Sequence, residues 1–241
     1  MNTKIRFLFV CGLMLIVLTS LTGFNGMPVP AQAALADQAL FTGRFDFSNI
    51  SKVVFSNNGC SIKANFNGTG ISITLGSETG SSATQSSFMY VIVDGNVTPA
   101  NHATIQVSAA SATFVLASGL PAGNHTVELV KETEYDTRVA FYGFTVTGGT
   151  LSAKPARPSI RLEFYGDSNA AGWDAYDPTD SGTGSKSGGY YTYPGITSRM
   201  LNAEYSNIAR SGAGITDKSG NGNLINYYQT INQGFAASGT N

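Results

Sequence analysis

The sequence predicts two domains of different class, an all-β sandwich followed by the first part of an α/β domain built on a parallel sheet. Three observations support this. Short runs of alternating apolar and polar residues, separated by Gly, Asn, Pro and Ser, fill residues 41–146. Residues 147–159 are rich in Gly and Pro and offer little that can pack. The pattern then changes to strand, helix and strand, which is a βαβ unit and the start of a parallel sheet.

The chain opens with the layout of a secretory signal peptide. Two cations precede the apolar run Phe7–Leu18, and a polar stretch ends in Ala31-Gln32-Ala33. The apolar run is shorter than the roughly 20 residues of a spanning helix, so export is favoured over a membrane anchor. We expect residues 1–33 to be a signal peptide, cleaved after Ala33 or Ala36. The mature protein is then secreted and has no membrane contact.

Charge and cysteine content narrow the function classes. The formal charge is −1 at pH 7, and it becomes −3 when two cations leave with residues 1–33. Such mild acidity favours neither nucleic acid nor anionic membrane as a partner. The mature chain keeps one cysteine, Cys60, so an internal disulfide is excluded. No metal or redox spacing surrounds Cys60, and we expect a small buried apolar residue there and no metal or cofactor.

The sandwich is predicted over residues 34–150. Ile71, Ile73 and Leu75 alternate with polar residues, and the runs FMYVIVDG, ATIQVS, ATFVLAS, HTVELVKET and AFYGFTV follow. LPAGNHT supplies a turn before a strand, and VDGN is typical of a hairpin.

Residues 160–241 follow a predicted linker, 151–159. Their pattern comprises a buried strand (Ile160, Leu162, Phe164), a helix (Tyr193, Ile196, Met200, Leu201) and a second strand (Glu204–Ala209). A doubly wound sheet needs several more strands. We therefore expect this α/β domain to be partial and the chain to be a fragment.

Ser168 follows the end of the first of these strands, in Gly166-Asp167-Ser168. Reactive groups of open parallel sheets sit at the carboxyl ends of strands, and Gly166 permits backbone conformations that allow a sharp exit. The Ser168 hydroxyl is a candidate nucleophile, and the backbone N–H of Ser168 can face an oxyanion. The alternative is that Gly-Asp-Ser only forms a turn, since these residue types are common in turns. After the second strand, Gly212 or Gly214 offers a second N–H at the same edge. A turn that only reverses the chain is the alternative.

The loop after Ser168 is the candidate substrate site. Trp173 and Tyr176 can stack on a sugar ring, and Asp174 and Asp177 can accept hydrogen bonds from its hydroxyls. The alternative is that Trp173 packs under the loop as local core.

For the charged residues outside this loop, the sequence leaves more than one role open. For Glu132, Glu134 and Asp136, which follow a β strand, we expect a solvated loop, with contact to the second domain as the alternative. Arg210 either steadies the turn beside Ser211 by hydrogen bonding or is a surface arginine.

Two sequence blocks, EFYGDSNAAGWDA and YPGITSRMLNAEYSNIARSGAGI, resemble the first two blocks of the SGNH (GDSL-type) hydrolases, whose α/β domain is flavodoxin-like. The nearest group is carbohydrate esterase family 2, the acetyl xylan esterase-like secreted deacetylases of plant polysaccharides. Upstream, FTGRFDFS, GTGISITLG, YVIVDG, LPAGNHTVELVKETE and AFYGFTV resemble the N-terminal jelly-roll domain of that family, in the same order. The resemblance covers roughly residues 41 to 216.

The resemblance implies a secreted serine esterase that removes acetyl groups from xylan or glucomannan through an acyl-serine intermediate, without a cofactor. Ser168 matches the nucleophile, and its N–H with that of Gly212 would form two arms of the oxyanion hole. The alternative is a non-catalytic secreted protein that binds glycans or mediates adhesion through its β-sandwich.

Two functional blocks of the family are not found in this sequence. They are a Gly-x-Asn-Asp block, whose asparagine is the third oxyanion arm, and a block with a histidine general base near the C-terminus. Asn241 in the closing SGTN is not assigned the asparagine role. Neither His102 nor His125 is expected to be the base, since both lie in the β domain and a solvated side chain is the ordinary reading for His125. We therefore expect the 241-residue chain alone to be inactive and the complete protein to be active.

Overall fold

A computed structural model gives the structure of residues 31–78, 86–97, 104–134, 137–176, 186–216, 224–226 and 228. All of them belong to one unit that begins at Ala31. Most of the predicted signal peptide lies outside the described residues. Across the ranges given above, no helix is both long and apolar enough to cross a bilayer.

Two antiparallel sheets make up the predicted β domain, after a short helix, α1 (Ala31–Gln38). Within the described ranges the strands are β1 (Leu40–Thr42), β2 (Val53–Phe55), β3 (Ser61–Gly68), β4 (Gly70–Ser77), β5 (Ser87–Val93), β6 (Thr104–Val107), β7 (Ala112–Ala117), β8 (Gly123–Lys131), β9 (Val139–Thr147) and β10 (Thr150–Leu151). Sheet 1 has the order β1-β3-β8-β5-β6, with β10 also paired to β3, and sheet 2 has the order β2-β9-β4-β7.

The two sheets share one apolar core. Sheet 1 contributes Ile62, Phe66 and Leu129 to it, and sheet 2 contributes Ile73 and Phe141, all with 0% exposure. Successive side chains of a strand point to opposite faces, so alternate residues of β3 and β4 are buried here. Two packed sheets are the arrangement predicted for a β-sandwich.

Cys60 is buried at the edge of this core, as predicted. It is 1% exposed, and burial raises the pKa of its thiol to about 11. Such a thiol is protonated at neutral pH and therefore inert.

The predicted hairpin turn is present at the end of β5. Asp94 and Gly95 both have positive φ, 51° and 70°. The N–H of Asn96 donates to the carbonyl of Val93 at 2.9 Å. Two successive residues with positive φ favour a tight hairpin connection, which explains the Asp-Gly pair.

A βαβ unit follows, in residues 160–216, which we call the α/β segment. Its elements are β11 (Ile160–Gly166), α2 (Ser168–Ala171), a 3-10 turn (Gly189–Tyr191), α3 (Tyr193–Met200) and β12 (Ala203–Ala209). The two strands pair in parallel. Helix α3 begins with Pro194 in its first turn, and the Thr192 hydroxyl accepts the N–H of Gly195 at 3.4 Å. The strand, helix and strand that the sequence predicts are all present.

The first strand of this unit is not buried, although its alternation predicts a buried strand. Ile160 is 45% exposed, and Leu162 and Phe164 are only half-buried. Within the described residues β11 pairs on one edge only, with β12. An alternating strand buries its apolar residues only where a second layer covers that face, so the prediction was wrong here.

The predicted linker, 151–159, begins as part of sheet 1. Leu151 lies in β10 and pairs with Phe66. The N–H of Ser152 donates to the carbonyl of Asn65 at 2.9 Å, and the Asn65 amide donates to the carbonyl of Ala153 at 2.9 Å. The irregular connection between the sandwich and β11 therefore starts after Ala153.

Candidate active site

The chain leaves β11 and β12 at the same edge of their sheet. The last residue pair in the parallel register is Gly166 with Ala209, and the N–H of Arg210 donates to the carbonyl of Gly166 at 3.1 Å. Ser168 lies two residues past this pair on one strand, and Gly212 lies three residues past it on the other. This register places the two turns predicted to carry chemistry side by side.

Ser168 is the first residue of α2, behind an aspartate cap. The Asp167 carboxylate accepts the N–H of Asn169 at 3.0 Å, which fixes the direction in which the helix starts. The helix ends at Gly172, with φ of 76°. The Ser168 hydroxyl is therefore held on an ordered single turn of helix.

Gly166 is required for space and not for an unusual backbone angle. It is absent from the described residues with positive φ, so the conformational reason predicted from the sequence was wrong. A methyl group at Gly166 would lie 2.5 Å from the Cβ of Ala170. The glycine therefore lets α2 fold back tightly over the end of β11.

The second turn has its left-handed residue at Gly212. Gly212 has φ of 76° and is exposed, whereas Gly214 does not have positive φ. The N–H of Ala213 donates to the carbonyl of Arg210 at 3.0 Å and closes the turn. Of the two glycines predicted as N–H donors, Gly212 thus lies at the bend. Arg210 is half-buried, and its predicted role in steadying this turn stays a prediction.

Glu132 and Glu134 are buried against the α/β segment. Glu134 is 4% exposed, and its carboxylate accepts the N–H of Ser211 at 3.1 Å and also the Ser211 hydroxyl. Glu132 is 0% exposed and accepts the N–H of Tyr190 at 3.1 Å. The expected solvated loop was therefore wrong, and contact with the second domain is what the structure shows. Asp136 lies outside the described residues.

Lys131 is buried next to these two glutamates and bonds the backbone that carries them. Its ammonium group is fully buried and donates to the carbonyl of Thr133 at 2.7 Å, to the Thr133 hydroxyl at 3.2 Å and to the carbonyl of Glu134 at 2.6 Å. An ammonium has three N–H donors, and these three acceptors match them. The backbone that carries Glu134 is fixed in consequence.

Two buried asparagines hold the end of α2. Asn58, between β2 and β3, donates to the carbonyl of Ala171 at 2.6 Å, and Asn207, on β12, donates to the carbonyl of Ala170 at 2.8 Å. The last carbonyls of a helix have no intrahelical partner, so these amides satisfy groups that burial would otherwise leave unpaired. Nothing in the local sequence pattern signals this role.

The loop after Ser168 places its predicted substrate residues unequally. Trp173 is 37% exposed, whereas Asp174 is 8% exposed and has φ of 49°. The ring of Tyr176 meets that of Tyr191 edge to face at 5.9 Å, and burial, with the nearby charge of Glu132, raises the pKa of Tyr176. Trp173 is therefore the aromatic ring of this loop most open to a ligand. Asp177 lies outside the described residues.

His125 is held by two acceptors and is not the solvated side chain that the sequence predicts. It lies in β8, with Nδ1 2.8 Å from the Asp94 carboxylate and Nε2 2.8 Å from the carbonyl of Pro121. Both partners are acceptors, so the arrangement favours the ring with a proton on each nitrogen. The bond to Pro121 and then that to Asp94 raise the pKa of His125. Both nitrogens of His125 are thus engaged within the sandwich, and His102 lies outside the described residues.

The described residues contain no group of three or more His, Cys, Asp or Glu side chains arranged to hold a metal ion.

Residues 41–155 match the family model described as "Carbohydrate esterase 2 N-terminal". The chain is 36% identical over 180 residues to the cellulase/esterase CelE of Acetivibrio thermocellus, a match that covers 73% of this chain and 21% of CelE. The resemblance to carbohydrate esterase family 2 that the sequence predicts is therefore confirmed.

Solved structures of this family have similar folds. A family two carbohydrate esterase from Clostridium thermocellum, in complex with cellohexaose, has a TM-score of 0.72 and 32% identity, covering 80% of this chain and 58% of that one. An acetyl xylan esterase from Butyrivibrio proteoclasticus has a TM-score of 0.69 and 20% identity, covering 81% of this chain and 52% of that one, and this likeness concerns the fold alone. The chain thus spans a little over half the length of these proteins and about a fifth of CelE.

Proposed function

Because residues 41–155 match the N-terminal domain model of carbohydrate esterase family 2, we propose that the complete protein is a secreted serine esterase that removes acetyl groups from plant-type polysaccharides. In this proposal a jelly-roll sandwich precedes an SGNH-type α/β domain, and no cofactor takes part. The observation that carries the proposal is the parallel register of β11 and β12, since it brings Ser168 and the Gly212 turn to one edge.

The chemistry begins with attack of the Ser168 oxygen on the carbonyl carbon of an acetyl ester. Its proton passes to a histidine base that is neither His102 nor His125, and the developing oxyanion receives hydrogen bonds from the N–H groups of Ser168 and Gly212. Collapse of the tetrahedral intermediate returns the proton to the departing sugar hydroxyl and leaves acetyl-serine. A water molecule then hydrolyses acetyl-serine to acetate by the same steps in reverse order.

Residues 1–241 alone are expected to hydrolyse esters poorly. A serine hydroxyl is a weak nucleophile at neutral pH without a base. Both ring nitrogens of His125 lie within hydrogen-bond distance of acceptors in the sandwich, so His125 is not the base in this proposal.

The substrate is proposed to be an acetylated xylan or glucomannan. Trp173 supplies an exposed aromatic face near Ser168 on which a sugar ring can stack, whereas Asp174 and Tyr176 are more enclosed. Binding of cellohexaose by the Clostridium thermocellum relative supports a glycan ligand in this group of proteins.

Secretion is part of the proposal, with signal cleavage after Ala33 in preference to Ala36. Leu35 is 8% exposed and belongs to the sandwich core, and the side chain of Gln38 accepts the N–H of Phe144 at 3.0 Å. Cleavage after Ala36 would remove Leu35 and expose part of the core. N-terminal sequencing of the exported protein should find Leu35 retained.

The test of the esterase function is Ser168→Ala in the complete protein. Turnover of p-nitrophenyl acetate and release of acetate from acetylated xylan should fall by about 10³-fold or more, with an unchanged circular dichroism spectrum. Equal turnover in the variant would exclude Ser168 as the nucleophile. Wild-type protein that binds xylan or glucomannan but releases no acetate would instead favour a non-catalytic glycan-binding protein.

A further inference from the structure

Two side chains of the β-sandwich reach the two turns that would form the oxyanion hole. Glu134 contacts the turn that contains Gly212, and Asn58 contacts the short helix that begins at Ser168. Each side chain is buried and each bonds a backbone group of the other domain. The sandwich is thus in direct contact with both parts of the site.

Glu134 forms two hydrogen bonds with Ser211, the residue immediately before Gly212. One carboxylate oxygen accepts the Ser211 N–H at 3.1 Å and the other accepts the Ser211 hydroxyl. Two bonds from one carboxylate fix both the position and the rotation of Ser211. The peptide that joins Ser211 to Gly212 carries the Gly212 N–H. The direction of that N–H therefore depends on the two hydrogen bonds between Glu134 and Ser211.

The carboxylate itself has little freedom to move. Lys131 donates to the carbonyl of Thr133 and to that of Glu134, which ties down the backbone on which the Glu134 side chain stands. Glu134 is 4% exposed and Lys131 is 0% exposed. Hydrogen bonds to a charged group in such a dry setting are stronger than exposed ones.

Asn58 performs the corresponding task on the other turn. Its amide donates to the carbonyl of Ala171, at the end of α2, whereas Asn207 of the α/β segment donates to the neighbouring carbonyl of Ala170. The helix that opens with Ser168 is therefore bonded at its far end to both domains.

We propose that Glu134 and Asn58 are positioning residues for ester hydrolysis, through which the β-sandwich sets the direction of the two oxyanion N–H groups. Neither residue touches the substrate. This inference rests on the proposed esterase function, and it assigns the sandwich a part in catalysis that is separate from glycan binding. A donor displaced by about 1 Å can cost about 100-fold in rate, which sets the size of the effect.

The first test is kinetic and uses the complete protein with p-nitrophenyl acetate. Glu134→Ala should lower kcat about 100-fold and change KM by less than about twofold, because the oxyanion forms only during reaction. Glu134→Gln should restore most of kcat, since an amide can accept the Ser211 N–H and donate to its hydroxyl. Asn58→Ala should lower kcat about tenfold, which is the scale of one lost buried hydrogen bond.

Matched controls come from the sandwich itself. Glu78→Gln removes a carboxylate paired with Lys52 at 2.7 Å, and Asn65→Ala removes an amide bonded to the carbonyl of Ala153 at 2.9 Å. Both should leave kcat unchanged. Wild-type kcat in a folded Glu134→Ala protein, or equal losses in the controls, would overturn the proposal. If that variant does not fold, Ser211→Ala, which removes only the hydroxyl bond, decides in the same way.

The second test does not need activity. Hydrogen exchange of the Ser211 and Gly212 amides should be about tenfold faster or more in Glu134→Ala than in wild type, and unchanged in Glu78→Gln. Unchanged exchange rates of these two amides in Glu134→Ala would show that Glu134 does not hold this turn and would overturn the proposal. A wild-type protein that has a slowly exchanging Ser211 amide but no esterase activity would refute the proposed function and leave the contact standing, so the two failures are distinguishable.

Discussion

The β-sandwich and the α/β segment are stabilised by different means. Phe55, Phe66 and Phe141 of the sandwich all have 0% exposure, whereas Ile160 and Met200 of the α/β segment are 45% and 82% exposed. The sandwich encloses its own apolar core between two sheets. The α/β segment, in the described residues, has one pair of strands and little apolar burial of its own.

Contacts between the two regions combine aromatic packing with buried polar bonds. The rings of Tyr90 in the sandwich and Tyr190 in the α/β segment meet at 5.1 Å between centroids. Arg44 of the sandwich bonds Glu163 of β11 at 2.6 Å, and Glu132 and Asn58 bond backbone groups of the α/β segment. The sandwich therefore has a large apolar core of its own. The turns of the candidate site, in contrast, are held by a few buried polar side chains at the border, which is our term for the contacts between the sandwich and the α/β segment.

The largest expected effect lies in the sandwich core. Phe141→Ala should lower the free energy of unfolding by about 3–5 kcal/mol, because it removes a fully buried ring and leaves a cavity. That ring packs against Phe41 at 5.7 Å and against Phe144 at 5.2 Å between centroids. Urea unfolding followed by circular dichroism measures the loss.

Met200→Ala in the α/β segment is the matched substitution. Its side chain is 82% exposed, so the loss should stay below about 0.5 kcal/mol. A loss comparable to that of Phe141→Ala would mean that Met200 is covered in solution and that the α/β segment is stabilised by apolar burial as the sandwich is.

The next effect concerns the buried ammonium at the border. Lys131→Met should cost about 2–3 kcal/mol, because it leaves the carbonyls of Thr133 and Glu134 buried without their donor. Lys52→Met, which breaks a partly exposed pair with Glu78, should cost less than about 1 kcal/mol. Equal losses of unfolding free energy in the two variants would show that Lys131 is as accessible to water as Lys52, which would contradict its burial in the structure.

Local sequence patterns predict most of the fold and the edge that carries Ser168. The alternation around Ile73, the Asp94-Gly95 turn and the strand, helix and strand after residue 159 each depend on neighbours within a few positions. Patterns of that range are visible in a sequence. The placement of Ser168 and Gly212 at one edge follows from the parallel pairing alone.

The contacts between the sandwich and the α/β segment could not be predicted from the sequence. Glu134 and its partner Ser211 are 77 positions apart, and a glutamate after a strand resembles a surface residue until that partner is known. Likewise, the exposure of Ile160 depends on which layer covers β11 and not on its own alternation. Burial of charge is a property of distant pairs, so local patterns could not predict it.

A smaller effect should come from steric crowding at the border. Gly59 and Gly95 have nearly equal φ, 74° and 70°, so an alanine pays the same backbone cost at either position. A methyl group at Gly59 would lie 2.6 Å from the Tyr205 hydroxyl, whereas at Gly95 no heavy atom of the described residues lies within 4 Å. Gly59→Ala should therefore be less stable than Gly95→Ala by about 1–2 kcal/mol.

Thermal unfolding of the two glycine variants tests this difference. Tyr205→Phe combined with Gly59→Ala should recover part of the loss, because it removes the nearest atom but not the ring. Equal stability of the two single variants would mean that the α/β segment yields at this contact without cost.

The smallest effect is a pH dependence confined to the sandwich. The bonds of His125 to the carbonyl of Pro121 and then to Asp94 raise the pKa of His125 in the folded protein. The stabilisation is therefore complete below the unfolded pKa of about 6.5 and is lost as the pH rises through the folded pKa. Thermal unfolding midpoints measured from about pH 5 to 9 should fall more for wild type than for His125→Gln, and His102 is common to both proteins.

The titration of His125 also tests whether the sandwich and the α/β segment respond independently to pH. Both partners of His125 belong to the sandwich, so exchange of the Ser211 amide should not follow the His125 titration. Loss of protection at Ser211 in step with that titration would mean that the sandwich and the turn of Gly212 respond as one body. Protection of Ser211 that does not follow the titration, together with an unfolding midpoint that does, would show that His125 acts on global stability and not on the turn of Gly212.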